Sequence, residues 1–270
     1  MVEDILKKIN KRKGDSSKFD NGHLLVVGGS EKYSGSPALN SLAAYRSGVD
    51  LVTTAAPERP SDIIAAYSPS LITVPLQGGF FSSKNYEKLT ELSNDVDALV
   101  VGGGTGRRDE TMKVVRKLIK NVDIPVVVDA DAIHAVSGNR SVLKKGDVLT
   151  PHSHEFKVLT GKDATESSVV ESAEELGCTF LLTGEEDIIT DGEDVYRNST
   201  GNEYMTVGGT GDILAGVVGS LLAQGFSSLE ASRGAAWING KAGELAYEEM
   251  GPGVIPDDIL VKIPEVLKEI

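Results

Sequence analysis

Short runs of valine, isoleucine and leucine alternate with longer helix-like segments along most of this chain, and that alternation limits the folds open to it. The runs are apolar at nearly every position, which is typical of strands that helices cover on both faces of a parallel sheet. They lie at His23–Val27, Asp50–Thr54, Leu71–Val74, Ala98–Val101, Ile124–Val128, Asp147–Leu149 and Thr179–Leu182. Their order predicts an α/β fold with a central, mostly parallel sheet and helices on both faces.

Helical periodicity fills the gaps between these strands and dominates the last third of the chain. Helices are predicted at Pro37–Ser47, Asp109–Lys120, Ser167–Leu176, Ile213–Gln224, Ser228–Met250 and Pro256–Glu269. Between two short strands, Ile188–Thr190 and Val195–Arg197, the pair Asp191-Gly192 predicts a tight hairpin. No linker, low-complexity segment or internal repeat divides the sequence. Residues 1–270 are therefore predicted to form a single domain, in which 1–20 are an N-terminal extension.

Composition narrows the functional classes. The 270 residues carry a formal net charge of −13, which argues against a nucleic-acid-binding protein, since such proteins present basic surfaces. The sequence has no apolar run near the ~20 residues that span a bilayer, and its N-terminus has no signal-peptide core. The single cysteine, Cys178, excludes an internal disulfide framework. We therefore expect a cytoplasmic protein that binds neither nucleic acid nor membrane.

The strongest functional signal is the glycine-rich segment Thr206–Asp212, which precedes a long apolar helix. Glycines let backbone N–H groups converge, and the start of a helix adds a positive dipole end, so the segment predicts a site for phosphoryl oxygens. A carboxylate beside a bound phosphate is useful if it accepts a proton from an attacking hydroxyl, which indicates Asp212 as a base. The alternative is that Asp212 only caps the helix. The segment is not a Walker A loop, because no Lys-Ser/Thr pair follows its glycines.

Two other glycine-rich segments each leave a strand and enter a helix. Gly102–Gly106 departs from a dinucleotide-binding fingerprint, because Arg107 stands where the third glycine belongs. In Gly28–Pro37, the amides near Ser36 are candidates for binding a polar group, and Pro37 is expected at the first helical position. The ordinary alternatives are a turn that needs glycine and Ser36 as an N-cap. Ligands bind beyond the carboxyl ends of strands in open α/β sheets, so both segments are candidates.

Polar residues follow the three later strands. In Asp129-Ala130-Asp131 we expect Asp131 to cap the next helix, and the role of Asp129 stays open. His152 is a candidate for bonding a substrate, and Glu155 either holds a hydrated cation or complements a helix dipole. Thr183-Gly184 is interpreted as the rim of a nucleotide site or as the turn before the hairpin.

Taken in this order, the segments resemble the ribokinase-like superfamily and, within it, the ADP/ATP-dependent NAD(P)H-hydrate dehydratases, which repair hydrated nicotinamide cofactors. The similarity runs from about Gly22 to Ile263. It rests on His23–Ser30 with Tyr33 and Gly35–Pro37, Ala44–Thr54, Gly102–Gly106, Val126–Ala132, Thr150–Glu155 and Gly208–Gly216. The last segment is the most specific to the superfamily, and Asp-Ala-Asp-Ala with Thr-Pro-His narrows it to the dehydratases. The resemblance implies a ribokinase-like fold.

The resemblance also implies a lyase that uses ADP or ATP with Mg²⁺. A phosphoryl group passes to the hydroxyl of hydrated NADH or NADPH, and loss of phosphate restores the nicotinamide ring. Carried over residue by residue, the resemblance makes Asp212 the catalytic base and Glu155 a residue that holds the metal through water. It implies that the nucleotide is bound by Thr183, Gly184, Gly208, Gly209, Thr210 and Gly211. It implies that the substrate is bound by Ser36, Gly104, His152 and Asp212.

Four positions depart from the family pattern. Thr183 replaces a lysine, His154 a glycine, Asn239 a histidine and Ser36 an alanine. These changes bear on the nucleotide site and on ground-state binding, so the choice between ADP and ATP stays open, as does that between NADH and NADPH hydrate.

The resemblance further implies a homo-oligomer, a tetramer, that works with an NAD(P)H-hydrate epimerase. That partner domain does not fit into the first ~20 residues, so we expect it on a separate chain. Two other functions share the glycine-rich segment and stay open. One is a kinase for a vitamin precursor or a sugar, and the other is a non-catalytic nucleotide-sensing module.

Overall fold

A computed structural model describes residues 2–9 and 14–269, and its nine strands form one sheet. The strands are β1 (His23–Val27), β2 (Leu51–Pro57), β3 (Ile72–Leu76), β4 (Ala98–Val101), β5 (Val126–Val128), β6 (Val148–Leu149), β7 (Thr179–Leu182), β8 (Asp187–Thr190) and β9 (Val195–Asn198). Their order is β3-β2-β1-β4-β5-β6-β7-β8-β9. The first seven pair in parallel and the last two in antiparallel fashion, which confirms the predicted mostly parallel α/β fold.

Helices cover both faces of the sheet. Those of the described residues are α1 (Glu3–Ile9), α2 (Gly35–Arg46), α3 (Glu58–Tyr67), α4 (Tyr86–Ser93), α5 (Asp109–Asn121), α6 (Asp131–Ser137), α7 (Ser153–Thr160), α8 (Glu166–Leu176), α9 (Thr210–Ala223), α10 (Ser228–Met250) and α11 (Pro256–Lys268). Strand β1 shows how the sequence divides the core. Its Leu24 and Val26 pack with α9, α10 and α11, whereas Leu25 and Val27 pack on the opposite face with α5, α6 and α8. Both faces are buried, which is why the strands read as continuous apolar runs.

The predicted bounds of strands and helices agree best with the structure where the apolar pattern is strong. The predicted bounds of β1, β4, β7 and α10 are confirmed. The pattern predicts neither α3 nor α4, because each is short and buries few residues. The predicted hairpin is present, and four residues, 191–194, separate β8 from β9, as the predicted strand bounds imply. The carboxylate of Asp191 accepts the N–H groups of Glu193 and Asp194 in this loop.

The predicted N-terminal extension over residues 1–20 lies partly outside the described residues, at 1 and 10–13. Its helix α1 buries Ile5, Leu6 and Ile9 in the same core as α9 and α10. Gly234 of α10 makes room for this contact, since a Cβ there would lie 3.2 Å from Ile5 Cγ2. Across the described residues, no helix is both long and apolar enough to cross a membrane.

The strand order fixes where a ligand can bind. The chain leaves β1 for β2 on one side, then returns to place β4 on the other side of β1. Open α/β sheets bind ligands at such a switch point, beyond the carboxyl ends of the two strands. Here those ends continue into the two glycine-rich segments Gly28–Pro37 and Gly102–Gly106.

Candidate functional site

A cavity of about 450 Å³ lies at this switch point. It is lined by Tyr33, Ser36, Gly104, Gly106, Arg107, Ala130, Asp131 and Asp212. The structure thus brings together three of the residues expected to bind substrate, namely Ser36, Gly104 and Asp212. Ser36 lies on α2, Gly104 lies in the loop after β4, and Asp212 lies on α9. These three elements are far apart in sequence.

Asp212 is the third residue of α9, and its carboxylate faces Ser36. Gly209 is the N-cap residue, with a φ of 112°, so the alternative that Asp212 caps the helix is wrong. The Ser36 hydroxyl donates to Asp212 Oδ1, and Asn40 Nδ2 donates to the main-chain oxygen of Asp212 at 2.6 Å. Burial raises the pKa of Asp212 to about 6, and the Ser36 hydrogen bond opposes that rise. At neutral pH the group is mostly a carboxylate, and it can accept a proton.

Ser36 reaches this carboxylate because α2 starts earlier than expected. The N-cap residue is Ser34, so Ser36 lies in the first turn, and the alternative that it caps the helix is wrong. Pro37 is the third helical residue rather than the first. Gly103 of the neighbouring loop fits tightly here, because a Cβ on it would overlap the Ser36 hydroxyl and lie 3.1 Å from Asp212 Oδ1. Glycine is therefore needed where the β4 loop meets the serine and the carboxylate.

Asp129 lies behind the cavity at the end of β5. It is 6% exposed, and Thr150 Oγ1 donates to its Oδ1 at 2.6 Å. Burial, and after it the charge of Asp212, raise the pKa of Asp129 to about 8. Gly102 is required beside it, since its φ is 131° and a Cβ would overlap the main-chain oxygen of Asp129. Asp129 thus keeps its proton at neutral pH.

The expectation that Asp131 caps α6 is wrong. The N-cap residue is Ala130, with a left-handed φ of 47°, and Asp131 is the first helical residue. Its carboxylate accepts hydrogen bonds from the N–H of Gly106 at 2.9 Å and from Arg107 Nε at 2.7 Å. The carboxylate of Asp131 therefore ties the loop after β4 to the start of α6.

His152 caps α7 instead of lining the cavity. Its Nδ1 accepts the N–H groups of His154 (3.1 Å) and Glu155 (3.4 Å), and Glu155 Oε2 accepts the N–H of His152 at 3.2 Å. Such a reciprocal pair is a capping box. Within the described residues, the cavity lining does not include His152.

The residues expected at the nucleotide rim follow β7, next to His152. Thr183 forms an isolated parallel bridge with His152, and its N–H donates to the oxygen of Pro151 at 2.9 Å. Gly184 is exposed, and its N–H donates to Asp187 Oδ1 at 3.2 Å. Both lie at the same edge of the sheet as the cavity, beyond the carboxyl end of β7.

The glycine-rich start of α9 leaves space for a ligand. A Cβ on Gly208 or Gly211 would meet no atom within 4 Å, whereas one on Gly209 would lie 2.7 Å from Pro256 Cγ. Thr210 is buried, and its hydroxyl donates to the oxygen of Val207 at 3.0 Å. In the described part of the chain, no side chain caps α9. The helix start therefore suits an anion such as a phosphate group.

The donor groups near the cavity fit a hydrated Mg²⁺. Glu155 is 9% exposed, and its charge and that of Asp212 both raise the pKa of Asp129, so both carboxylates act on the same buried group. Mg²⁺ takes oxygen ligands and usually keeps several waters. Among the described residues, no group of three or more His, Cys, Asp or Glu side chains could itself hold a metal.

Sequence reasoning missed Asn40 and the site role of Arg107. Asn40 is 1% exposed on α2, and a lone amide among the apolar residues of a buried helix face is the signal that marks it. Arg107 could have been found as the cation that directly follows a glycine-rich loop at the switch point.

A second cavity, of about 350 Å³, opens at the opposite edge of the sheet. Asp123, Lys144, Lys145 and Phe226 are among its lining residues. None of the residues expected to act in binding or catalysis lines it.

The chain is similar in sequence to NAD(P)H-hydrate dehydratases and to NAD(P)H-hydrate repair enzymes. The family model described as NAD(P)H-hydrate dehydratase matches residues 24–265. The bifunctional NAD(P)H-hydrate repair enzyme Nnr of Pyrobaculum aerophilum is 42% identical over 95% of this chain and 52% of its own. The ADP-dependent (S)-NAD(P)H-hydrate dehydratase of Cenarchaeum symbiosum is 38% identical over 98% of this chain and 95% of its own. The chain thus spans about half the length of the bifunctional relatives it matches.

A solved structure shows the same fold. The ADP/ATP-dependent NAD(P)H-hydrate dehydratase from Bacillus subtilis, co-crystallised with ATP and Mg²⁺, aligns with a TM-score of 0.85. The two chains are 23% identical, and the alignment covers 100% of this chain and 97% of the other. The similarity confirms the predicted ribokinase-like fold.

Proposed function

The chain belongs to the NAD(P)H-hydrate dehydratase family, and from this we propose that it dehydrates hydrated NADH or NADPH at the expense of ADP or ATP. The observation that carries the proposal is the Asp212 carboxylate. It lines the cavity at the switch point and follows directly on the open glycine-rich start of α9. A base and a phosphate site are thereby adjacent, as phosphoryl transfer to a hydroxyl requires.

The first step forms a phosphate ester. Asp212 accepts the proton of the hydrate's hydroxyl while its oxygen attacks the terminal phosphorus, and the bond from that phosphorus to the rest of the nucleotide breaks. Backbone N–H groups of Gly208–Gly211 stabilise the charge on the transferring group. Ser36, whose hydroxyl donates to Asp212 Oδ1, orients the carboxylate.

The second step restores the ring. The C–O bond of the new ester breaks, phosphate leaves with the bonding electrons, and a proton leaves the neighbouring ring carbon so that the double bond forms again. Gly104 and the cavity wall hold the nicotinamide portion, and His152 contacts the dinucleotide from the end of β6. This step needs no further oxidant or reductant.

ADP is the favoured phosphoryl donor in this proposal. The relatives from Cenarchaeum symbiosum, Natrialba magadii and Nitrosopumilus maritimus, which match nearly their full length, are named ADP-dependent. Thr183 and Gly184 border the nucleotide on the β7 side. Turnover with ADP and with ATP, measured side by side, tests the choice.

We propose that Mg²⁺ binds as a hydrated ion. Glu155 would hold it through water, and Asp212 lines the cavity. When bound, the ion neutralises phosphate charge during transfer. The chain's own residues perform the remaining tasks of binding, orientation and proton acceptance.

An NAD(P)H-hydrate epimerase activity accompanies the dehydratase, which the bifunctional repair enzymes among the relatives support. A homo-tetramer and a cytoplasmic location remain predictions from the sequence. Sedimentation of the purified protein tests the tetramer.

The Asp212→Asn variant tests the function. It keeps the size and the acceptor oxygen for Ser36 but removes the base, so kcat should fall by roughly 10²- to 10⁴-fold while ADP still binds. The assay follows reduced-nicotinamide absorbance with hydrated NADH, ADP and Mg²⁺, and calorimetry measures ADP binding. Asp194→Asn, an exposed carboxylate in the β8–β9 loop, is the control.

Three outcomes would contradict the proposal. Near-normal kcat in Asp212→Asn removes the base from the mechanism. A stable phosphorylated product of another substrate supports the kinase alternative. Tight nucleotide binding without turnover of either hydrate supports a sensing module.

A further inference from the structure

Among the described residues that line the substrate cavity, Arg107 alone carries a positive charge. We propose that its guanidinium binds a phosphate group of the dinucleotide substrate. The inference rests on the proposed function, which supplies that substrate. It adds a residue that the family motifs leave without a role.

The charges around the cavity create the need for such a cation. Asp131 and Asp212 line it, and the charge of Glu155 acts on the same buried Asp129 as that of Asp212. Hydrated NADH brings two negative charges on its pyrophosphate, and hydrated NADPH adds a third group, the 2′-phosphate. An anion of that charge is repelled by an acidic cavity unless a cation compensates.

Arg107 has the right chemistry for this task. A guanidinium is planar, stays charged at every relevant pH and donates parallel hydrogen bonds to phosphate oxygens. Its side chain is 57% exposed, so it can meet a ligand that enters from solvent. Because the side chain is more than half exposed, a phosphate group can reach the guanidinium at a small cost in desolvation free energy.

The guanidinium is also held in position. Arg107 Nε donates to Asp131 Oδ1 at 2.7 Å, and Asp131 in turn accepts the N–H of Gly106 at 2.9 Å. This pairing uses the Nε edge, and in the described part of the chain Nη1 and Nη2 have no protein partner. The geometry leaves two nitrogens to offer to a phosphate group, with less side-chain entropy to lose on binding.

The competing explanation is structural, since the same ion pair ties the β4 loop to α6. The Arg107 side chain is 57% exposed and that of Asp131 is 16% exposed, so the test has to measure stability beside substrate binding. The two explanations differ in measurable ways. A phosphate-binding role affects the KM of the hydrate alone, whereas a loop-holding role affects thermal stability, kcat and the KM of ADP together.

The experiment compares Arg107→Gln with Arg108→Gln. Arg108 is the matched control, because it is the next residue and its guanidinium lies 4.8 Å from the centre of the Phe80 ring, away from the cavity. We expect Arg107→Gln to raise the KM of both hydrates by roughly 10- to 100-fold, the loss typical of a charged hydrogen bond. kcat and the KM of ADP should stay near wild type. Arg107→Lys, which keeps the charge, should recover part of the loss.

Separate assays with the two hydrates identify the phosphate. An equal rise in KM for NADH and NADPH hydrate assigns Arg107 to the pyrophosphate, and a rise for NADPH hydrate alone assigns it to the 2′-phosphate. The wild-type KM should also increase with ionic strength, and Arg107→Gln should weaken that dependence.

Two results overturn the inference while leaving the function intact. One is a KM in Arg107→Gln within about twofold of that in Arg108→Gln, against the larger rise expected from a charged contact. The other is a joint loss of thermal stability, kcat and ADP affinity, without recovery in Arg107→Lys. A wild-type protein that turns over neither hydrate refutes the proposed function itself, and the inference with it.

Discussion

Replacing Ser36 with alanine should shift the pH dependence of turnover to higher pH. Asp212 acts as a base only when it is ionised, and its pKa of about 6 reflects burial opposed by the Ser36 hydrogen bond. The wild-type kcat/KM should therefore halve near pH 6 and fall tenfold per pH unit below it. Without the hydroxyl, burial acts unopposed. A hydrogen bond to a charged group contributes about 1.5–3 kcal/mol, and since Asp212 is partly open to solvent, the lower end applies, or about one pKa unit.

The size of the effect follows from that shift. The ionised fraction of Asp212 near pH 6 should fall about fivefold in Ser36→Ala, whereas at about pH 8 it should hardly change. Measuring kcat/KM between about pH 5 and about pH 9 separates this effect from any pH-independent loss of substrate binding. Ser34→Ala is the control, because Ser34 lies at the start of the same helix and its side chain makes no capping bond. An acid limb in Ser36→Ala that coincides with the wild type, or that moves to lower pH, would refute the reasoning.

Three other substitutions test the packing and electrostatics. Gly211→Ala should raise the KM of ADP about tenfold with an unchanged Tm, because its Cβ meets no protein atom within 4 Å and would occupy ligand space, whereas Gly253→Ala should change neither quantity. The wild-type Tm should fall as pH rises from 3.8 through about 8, because Asp129 keeps a proton that the unfolded chain releases. A smaller fall in the melting curves of Asp129→Asn supports this, and an equal fall counts against it. Gly216→Ala should lower stability by about 1–3 kcal/mol and reduce turnover, because a Cβ there would overlap the main chain of Asn40; denaturant unfolding with unchanged stability would contradict that.

The sequence predicted the sheet and the edge that carries the site because both depend on local pattern. Strands buried on both faces leave continuous apolar runs, and β1, β4 and β7 therefore have their predicted bounds. Parallel strands end at a common edge, so polar and glycine-rich segments after each strand point to one region. Helices α3 and α4 bury too few side chains to leave a comparable signal.

Contacts between side chains within the site depend on how distant segments pack together, so the sequence alone predicted fewer of them. Ser36 and Asp212 are 176 residues apart in sequence, and nothing local to either residue predicts that they meet. Asp131 was expected to cap α6 because the residues after it have a helical pattern. Ala130, with its positive φ, is the N-cap residue instead, and Asp131 is the first helical residue. Its carboxylate accepts the N–H of Gly106 in the loop after β4. The ring Nδ1 of His152 caps α7, a contact that the sequence analysis did not predict, and the contact of His152 with substrate stays a prediction.

The buried Asp129 has a consequence for every phosphate that enters the cavity. At neutral pH this side chain is a protonated, uncharged carboxyl group, and the Thr150 hydroxyl donates a hydrogen bond to it. A third negative group beside Asp212 and Glu155 would repel nucleotide and ester intermediate alike. Above about pH 8 that repulsion returns, and affinity for the nucleotide should weaken even though no contact to it has been lost.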